Sequence, residues 1–301
     1  MDQMKLSDSE VHSVRMSADG RAEHFGRTEA IFPWWSFTKT VLAIAALRLA
    51  EERILDLDAP FRGRPYTLRQ LLQHRAGVPN YGAFASYRAA VARDEPAWPR
   101  ERLLAAVGAD TLDFAPGTSW AYSNVGYLFV REAIEAATAS SLDVALRSLV
   151  FAPLGLARPR VAFTTTGLAD IHWPALRGYD PGWVYHGLVV GTAGDAAAIL
   201  AALMTPGQLL APAMLTEMLD PHQIGGAIAG RPWTSHGYGL GLMIGTVAGA
   251  GRAIGHSGGG PHCVNAVYHF PDPPEPVTIA AFTQGSDEGR AEWAAARLVA
   301  Q

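Results

Sequence analysis

The sequence predicts an α+β fold in which an antiparallel sheet, assembled from both ends of the chain, encloses a mainly helical insertion. Three observations predict it. Short, partly alternating runs bounded by Gly or Pro occur at 11–17 and 21–26 and again beyond residue 237, as strands do. Between them lie longer apolar stretches, 41–49 and 125–139, with the length of helices. A chain of 301 residues, 49% hydrophobic and only 17% charged, can bury a large core. The expected organisation is one domain, 1–301, with a sheet lobe from 1–58 and 234–301 and a mainly helical lobe from 59–233.

Taken in order, Asp19-Gly20 is a turn signal, so the first two runs read as a hairpin. A helix is expected over 36–52. From Val41 to Leu49 only Arg48 interrupts the apolar run, and a helix that is hydrophobic all round belongs inside a protein. Pro60 marks a break. Thr67 is a candidate cap for a short helix over 68–74 that stops at Gly77. The Tyr-, Pro- and Trp-rich tract 78–100 reads as a loop-bearing pocket wall. Helices at about 100–107, 125–139 and 141–149 surround a turn at 114–118. Residues 150–190 read mostly as loop, helices resume at about 194–204 and 211–219, and Gly- and Pro-rich sequence over 221–236 separates them from the tail. There 238–247, 252–256, 262–270 and 277–283 are expected strands, and a helix at about 287–300 closes the chain.

A net charge of −4 and a pI near 6.2 give no footprint for nucleic acid or for an anionic membrane. The polar start, Met1 to Asp8, has no apolar segment of a secretory signal, and no apolar run reaches the roughly 18–20 residues that span a bilayer. The single Cys263 excludes an intrachain disulfide and a thiolate zinc cluster. A cytoplasmic protein is expected.

The chemistry centres on Ser36-Phe37-Thr38-Lys39. Residues three apart on a helix share a face, so hydroxyl and amine point the same way at the mouth of a buried helix. A cation in the first helical turn opposes the helix dipole, and burial disfavours the ammonium, so the position favours a neutral amine able to take a proton from Ser36. Of 24 Lys and Arg residues only Lys5 and Lys39 are lysines. Arginine cannot serve as a base, whereas a buried lysine can. The alternative is that Ser36 is an N-cap and Lys39 a survivor of compositional bias.

Two further patches carry polar chemistry. In Tyr122-Ser123-Asn124 an extended backbone turns phenol and amide to one side; near an ammonium the phenol loses its proton more readily and can act as a base. A core tyrosine beside a turn residue is the alternative. In His256-Ser257-Gly258-Gly259-Gly260 bare backbone at a strand edge can receive a ligand, and its N–H groups with that of Ser36 can form an oxyanion hole; a glycine-rich turn is the alternative.

Together these three patches, in this order and spacing, resemble the serine β-lactamase and penicillin-binding-protein superfamily, and most closely its branch of class C β-lactamases, D-Ala-D-Ala carboxypeptidases and family VIII esterases. The stretches 71–79, 115–118, 122–127 and 237–241 are also similar to that branch. The resemblance implies a β-lactamase/transpeptidase-like fold, Ser36 as nucleophile, Lys39 and Tyr122 sharing the proton transfers, Asn124 orienting Lys39 and substrate, and the N–H groups of Ser36 and Gly259 holding the oxyanion. It implies no metal and no organic cofactor. It departs at His256, where β-lactamases usually carry a lysine whose charge helps hold the substrate carboxylate; a histidine is mostly neutral near pH 7.

Trp35, Tyr81, Trp120, Trp183 and His186 are candidate pocket residues, with core or structural roles as alternatives, and Cys263 is expected to pack as a small apolar residue. The expected function is a serine hydrolase cleaving a small carboxylic ester or amide through an acyl-Ser36 intermediate, its partner a small molecule and neither nucleic acid nor membrane. The alternatives are a D-amino-acid-directed peptidase or β-lactamase, an acyltransferase, or a catalytically silent ligand-binding protein.

Overall fold

The computed structural model of the protein describes residues 11–301; the polar start, Lys5 included, lies outside them. A hairpin of β1 (Val11–Ser17) and β2 (Ala22–Phe25) is followed by β3 (Phe32–Pro33), a 3-10 turn at Trp35–Phe37, and α1 (Thr38–Glu51). Next come α2 (Leu68–Leu72), α3 (Ala85–Ala92), α4 (Arg100–Val107), α5 (Asn124–Thr138) and α6 (Leu142–Leu146), then the short strands β4 (Arg160–Ala162) and β5 (Leu188–Gly191). Helices α7 (Ala193–Leu203) and α8 (Pro212–Met218) lead to the tail: β6 (His222–Gly225), β7 (Trp233–Tyr238), β8 (Met243–Val247), β9 (Gly251–Gly259), β10 (Cys263–Phe270), β11 (Val277–Gln284) and α9 (Glu288–Leu298).

The main sheet runs β2-β1-β11-β10-β9-β8-β7-β6, and its strands pair antiparallel. The first strand therefore docks on the last, Val11 opposite Thr283, which brings both chain ends into one sheet. A small sheet, β3-β5-β4, ties the segment before α1 to the middle of the chain.

Alternation sorts the sheet residues into two cores. From β10 and β11, Val264, Ala266, Tyr268, Ile279 and Ala281 pack against α9. Their neighbours Cys263, Val267, Ala280 and Phe282 join the larger core built by α1, α5 and α7. Helix α1 is the centre of that core: every residue from Thr38 to Leu47 is buried, which is why its sequence shows no polar face.

The structure departs from the sequence reading in several places. Residues 221–236 carry β6 and part of β7, so the sheet begins before the expected boundary at 234. The run 238–247 is two strands, because Gly241 turns the chain at φ +80°, where a side-chain carbon would lie 2.4 Å from Ala43 Cβ. Strand β9 runs from Gly251 through Gly259, past the expected end at 256, and the glycine motif up to Gly259 lies within it, as the strand-edge reading had it. The tract 78–100 includes α3, and 150–190 includes β4 and β5 with several 3-10 turns. The first short helix ends at Leu72; Thr67 caps it reciprocally with Gln70, while His74 turns away at φ +59°.

Helix α1 is pinned to the β7–β8 turn by Thr40 Oγ1, which donates to the Gly241 carbonyl at 2.8 Å in a buried setting. Thr40→Val keeps the shape and orphans that carbonyl, so urea unfolding should show a loss of about 1–3 kcal/mol. An unchanged midpoint would mean that Gly241 has found another donor.

Candidate active site

Ser36 sits in the 3-10 turn ahead of α1, and its hydroxyl caps neither element. The preceding Trp35 is held at φ +38°, an unfavourable conformation for a bulky residue. Its ring is fixed edge-on to Tyr179 at 5.8 Å, and its Nε1 donates to Cys263 Sγ at 3.2 Å. Burial pushes the Cys263 thiol up to about 12, so it packs as a neutral group. With the backbone so turned, Ser36 Oγ accepts from the Tyr122 hydroxyl at 2.9 Å and lies 3.3 Å from Lys39 Nζ.

Lys39 has no exposed surface. Its amine faces His186 Nε2 at 3.2 Å and lies 5.0 Å and 5.6 Å from the centres of the Tyr122 and Tyr127 rings. Burial holds its pKa well below the ordinary value, opposed only in part by the Glu288 carboxylate. Burial thus favours the neutral amine, which meets His186, itself fully buried and with its pKa held well below the ordinary imidazole value chiefly by that burial.

Tyr122 differs from the sequence reading, which made it a base that loses its proton easily. Burial raises its pKa well above the usual phenol range, with the Ser36 hydrogen bond a smaller opposing effect. Tyr122 is a phenol and a donor. Its backbone is clamped by a residue the sequence reading did not select: the His74 carbonyl accepts from Ala121 N at 3.1 Å and His74 Nδ1 from Ser123 N at 3.1 Å, with the His74 ring 4.3 Å from that of Tyr122. Ser123 caps α5 through Gly126 N at 2.9 Å, which sets Asn124 at the first helical position. Asn80 Oδ1 accepts from both Asn124 N and Nδ2, at 3.1 and 3.2 Å. Asn124 thus rests on Asn80, and the second partner of the Lys39 amine is His186.

Strand β9 delivers the third patch with its residues alternating between faces. His256 turns towards the helical side, where its Nδ1 donates to the Ser257 carbonyl and its Nε2 accepts from the Tyr238 hydroxyl at 2.9 Å. Burial, the largest cause, lowers its pKa to about 3. Gly258 follows on the same side, and a side-chain carbon there would lie 2.6 Å from Ser36 N and 2.7 Å from Asn265 Oδ1. Only glycine allows β9 to come so close to the Ser36 amide.

Ser257 turns to the opposite face. Its Oγ accepts from Arg231 at 2.7 Å and donates to Glu288 Oε2 at 3.0 Å. Arg231 also pairs with Glu288 at 3.2 Å and, through Nε, with the buried Glu292 at 2.6 Å. Glu292 further accepts from Trp233 at 2.9 Å and Tyr268 at 2.8 Å.

Two cavities meet at Ser36. One, of about 1120 Å³, is walled by Trp35, Tyr81, Trp183 and His186; the other, of about 410 Å³, by Trp120, Tyr122, Tyr238 and His256. Asn124, Gly259 and Glu288 line both. Every predicted candidate therefore lies in this cleft or, for Lys39 and Gly258, in contact with Ser36 beneath it. His74, Asn80, Arg231, Tyr238, Glu288 and Glu292 were missed. His74 and Tyr238 sit inside stretches noted for their resemblance, but Arg231, Glu288 and Glu292 carry no local signal, since each gains its role from a partner on another element.

A serine hydroxyl between a neutral amine and a phenol, on a sheet joined from both chain ends, defines the class of active-site serine proteins with a β-lactamase/transpeptidase-like fold. The Beta-lactamase family model matches residues 11–301, and the chain belongs to that family. It is 29% identical over 153 residues to penicillin-binding protein 4* of Bacillus subtilis (strain 168), covering 45% of this chain and 31% of that protein. It is 31% identical over 159 residues to esterase EstB of Burkholderia gladioli, covering 46% and 40%. These matches span well under half of either relative's length. The D-amino acid amidase from Ochrobactrum anthropi SV3, solved with L-phenylalanine, shares the fold with a TM-score of 0.80 at 19% identity over 97% of this chain and 94% of that one. No helix among the described residues is long and apolar enough to cross a membrane.

The buried amine has a consequence for stability. In the unfolded chain Lys39 binds its proton up to about 10.5, and in the folded chain only well below that. Between those limits the unfolded state holds the extra proton, so this group makes stability rise with pH up to about 10.5. Lys39→Met should unfold at higher urea than the wild type at pH 7, with the gap narrowing towards pH 10. Equal stability across that range would show that the folded amine is ionised.

Proposed function

We propose that the protein is a serine hydrolase that cleaves a small carboxylic ester or amide through an acyl-Ser36 intermediate. The observation that carries this reading is the placement of Ser36 Oγ, 2.9 Å from a protonated Tyr122 and 3.3 Å from a neutral Lys39, where two cavities meet. With the amine neutral, Ser36 passes its proton to Lys39 Nζ as Oγ bonds to the substrate carbonyl carbon. The carbonyl electron pair moves to oxygen, where the N–H groups of Ser36 and Gly259 stabilise it. Collapse expels the alcohol or amine, which takes a proton from Tyr122 or Lys39 and leaves acyl-Ser36. Water then loses a proton to the same pair as its oxygen bonds to the acyl carbon, and on collapse the Oγ–C bond breaks, that proton returns to Ser36 Oγ and the acid leaves. His186 supports the sequence by holding the Lys39 amine at 3.2 Å, within reach of Ser36.

The reading favours esters and amides over β-lactams. Where a β-lactamase usually has a lysine for the substrate carboxylate, His256 is neutral and its Nε2 is occupied by Tyr238. An acyltransferase would share every step up to acyl-Ser36 and differ only in the acceptor. A silent ligand-binding protein would have no use for a neutral lysine beside a serine.

Brief exposure to p-nitrophenyl butyrate followed by intact-protein mass should reveal a butyryl adduct that clears with time and is absent in Ser36→Ala. Steady-state turnover should fall at least about a thousandfold in Ser36→Ala and in Lys39→Arg, whose guanidinium cannot take the proton. Full activity of Lys39→Arg would reduce Lys39 to a source of charge. Ligand binding that survives Ser36→Ala with no turnover at any pH would favour the silent protein.

A further inference from the structure

We propose that Glu288 sets the charge preference of the cleft, admitting substrates whose acyl part carries a cationic group and turning away those that carry a carboxylate there. This inference rests on the hydrolase reading and names the substrate class of the same site.

On β9, Gly258 lies against the Ser36 amide, and the next residue, Gly259, lies against Glu288: a side-chain carbon on Gly259 would be 3.1 Å from Glu288 Oε1. Gly258 and Gly259 are consecutive and face opposite sides of the strand, so Glu288 stands across β9 from Ser36 and reaches the cleft at the strand's edge. Glu288 lines both cavities, and its side chain is 33% exposed. It opens α9 directly after the Asp287 cap, which places it at the rim.

Charge accounting points the same way. Burial favours the neutral forms of Lys39 and His256, and both ring nitrogens of His256 are engaged, by the Ser257 carbonyl and the Tyr238 hydroxyl, so neither group offers a free cation to a substrate carboxylate. The cation of the cleft wall, Arg231, is shared between Glu288 and the buried Glu292. One arginine between two glutamates leaves this corner with a net negative charge. The Ser257 hydroxyl, which could donate to an incoming anion, already donates to Glu288 Oε2. A substrate carboxylate entering here would meet like charge and an occupied donor, whereas an ammonium would find an unbalanced carboxylate. Arg88 and Asp94, of opposite sign, also line the larger cavity and offset one another.

The test compares three p-nitrophenyl esters of similar acyl length: 4-(trimethylammonio)butyrate, its neutral carbon isostere 5,5-dimethylhexanoate, and the monoester of adipic acid. The wild type should show its highest kcat/KM on the cationic ester and its lowest on the anionic one. In Glu288→Gln, which keeps the acceptor for Ser257, the cationic-to-neutral ratio should fall about tenfold and the anionic-to-neutral ratio should rise, the size expected of one partly screened charge at close range. Glu288→Lys should invert the order, and the neutral ester reports whether each variant retains an intact site. Ratios unchanged in Glu288→Gln, or a wild type that prefers the adipate, would overturn the role of Glu288 and leave the hydrolase reading standing. No Ser36-dependent turnover of the neutral ester would remove that reading, and this inference with it.

Discussion

The constraint on which the site depends is the burial of one amine. Lys39 is held in the first turn of a helix that is buried from Thr38 to Leu47, and its hydrogen-bond partners are a serine and a neutral histidine, with no ion pair to it among the described residues. A desolvated ammonium without a counter-charge is costly, so the fold selects the uncharged form. The rest of the site surrounds that choice. His186, just ahead of β5, supplies an acceptor, while Tyr122, ahead of α5, supplies a hydroxyl that stays protonated for the same reason that the lysine does not. Burial thus drives the amine and the phenol to opposite ends of the proton-transfer pair, amine empty and phenol loaded, with Ser36 Oγ between them.

The second organising device is the two-residue period of β9. Because neighbouring residues face opposite sides of the sheet, one strand presents two environments to one cleft. His256 and Gly258 look towards Ser36 and the helical core, whereas Ser257 and Gly259 look towards α9 and its glutamates. Glycine at 258 lets the strand approach the serine amide. Arg231 anchors the far side by joining Glu288 at the rim to Glu292 in the interior, where Trp233 and Tyr268 complete the hydrogen bonding of the buried carboxylate. A buried charge satisfied on this many sides fixes the geometry of the wall around it.

Strain marks the points where the chain must be aimed. Trp35 at φ +38° and His74 at φ +59° are both non-glycine residues in the left-handed region, and both stand next to reacting groups. Trp35 is held there by Tyr179 and Cys263 and directs the Ser36 side chain; His74 is held by its ring contacts and backbone bonds and directs Tyr122. Residues in such conformations persist where the surroundings over-determine them, and rigidity is what a serine placed to within a hydrogen bond of two partners requires.

Much of this was legible in the amino acids alone. The alternating runs at both ends, the apolar run of α1, the lysine three residues after Ser36, and the Tyr122 and His256 patches are local patterns, and local patterns follow from helix and strand periodicity. What they could not reveal depended on chain segments far apart. The run 238–247 read as one strand because its break comes from Gly241 passing under Ala43. Tyr122 read as a base because its burial is a property of the packed core. Asn124 was assigned to Lys39, yet Asn80 is the neighbour that holds its amide and His186 the one that meets the amine. Arg231, Glu288 and Glu292 look like ordinary surface charges until β7, β9 and α9 bring them together. Local patterns named the groups able to do chemistry and roughly where the elements lie; the protonation they favour, their partners and the charge of the cleft came from packing, because desolvation and electrostatic coupling exist only once distant residues are brought against one another.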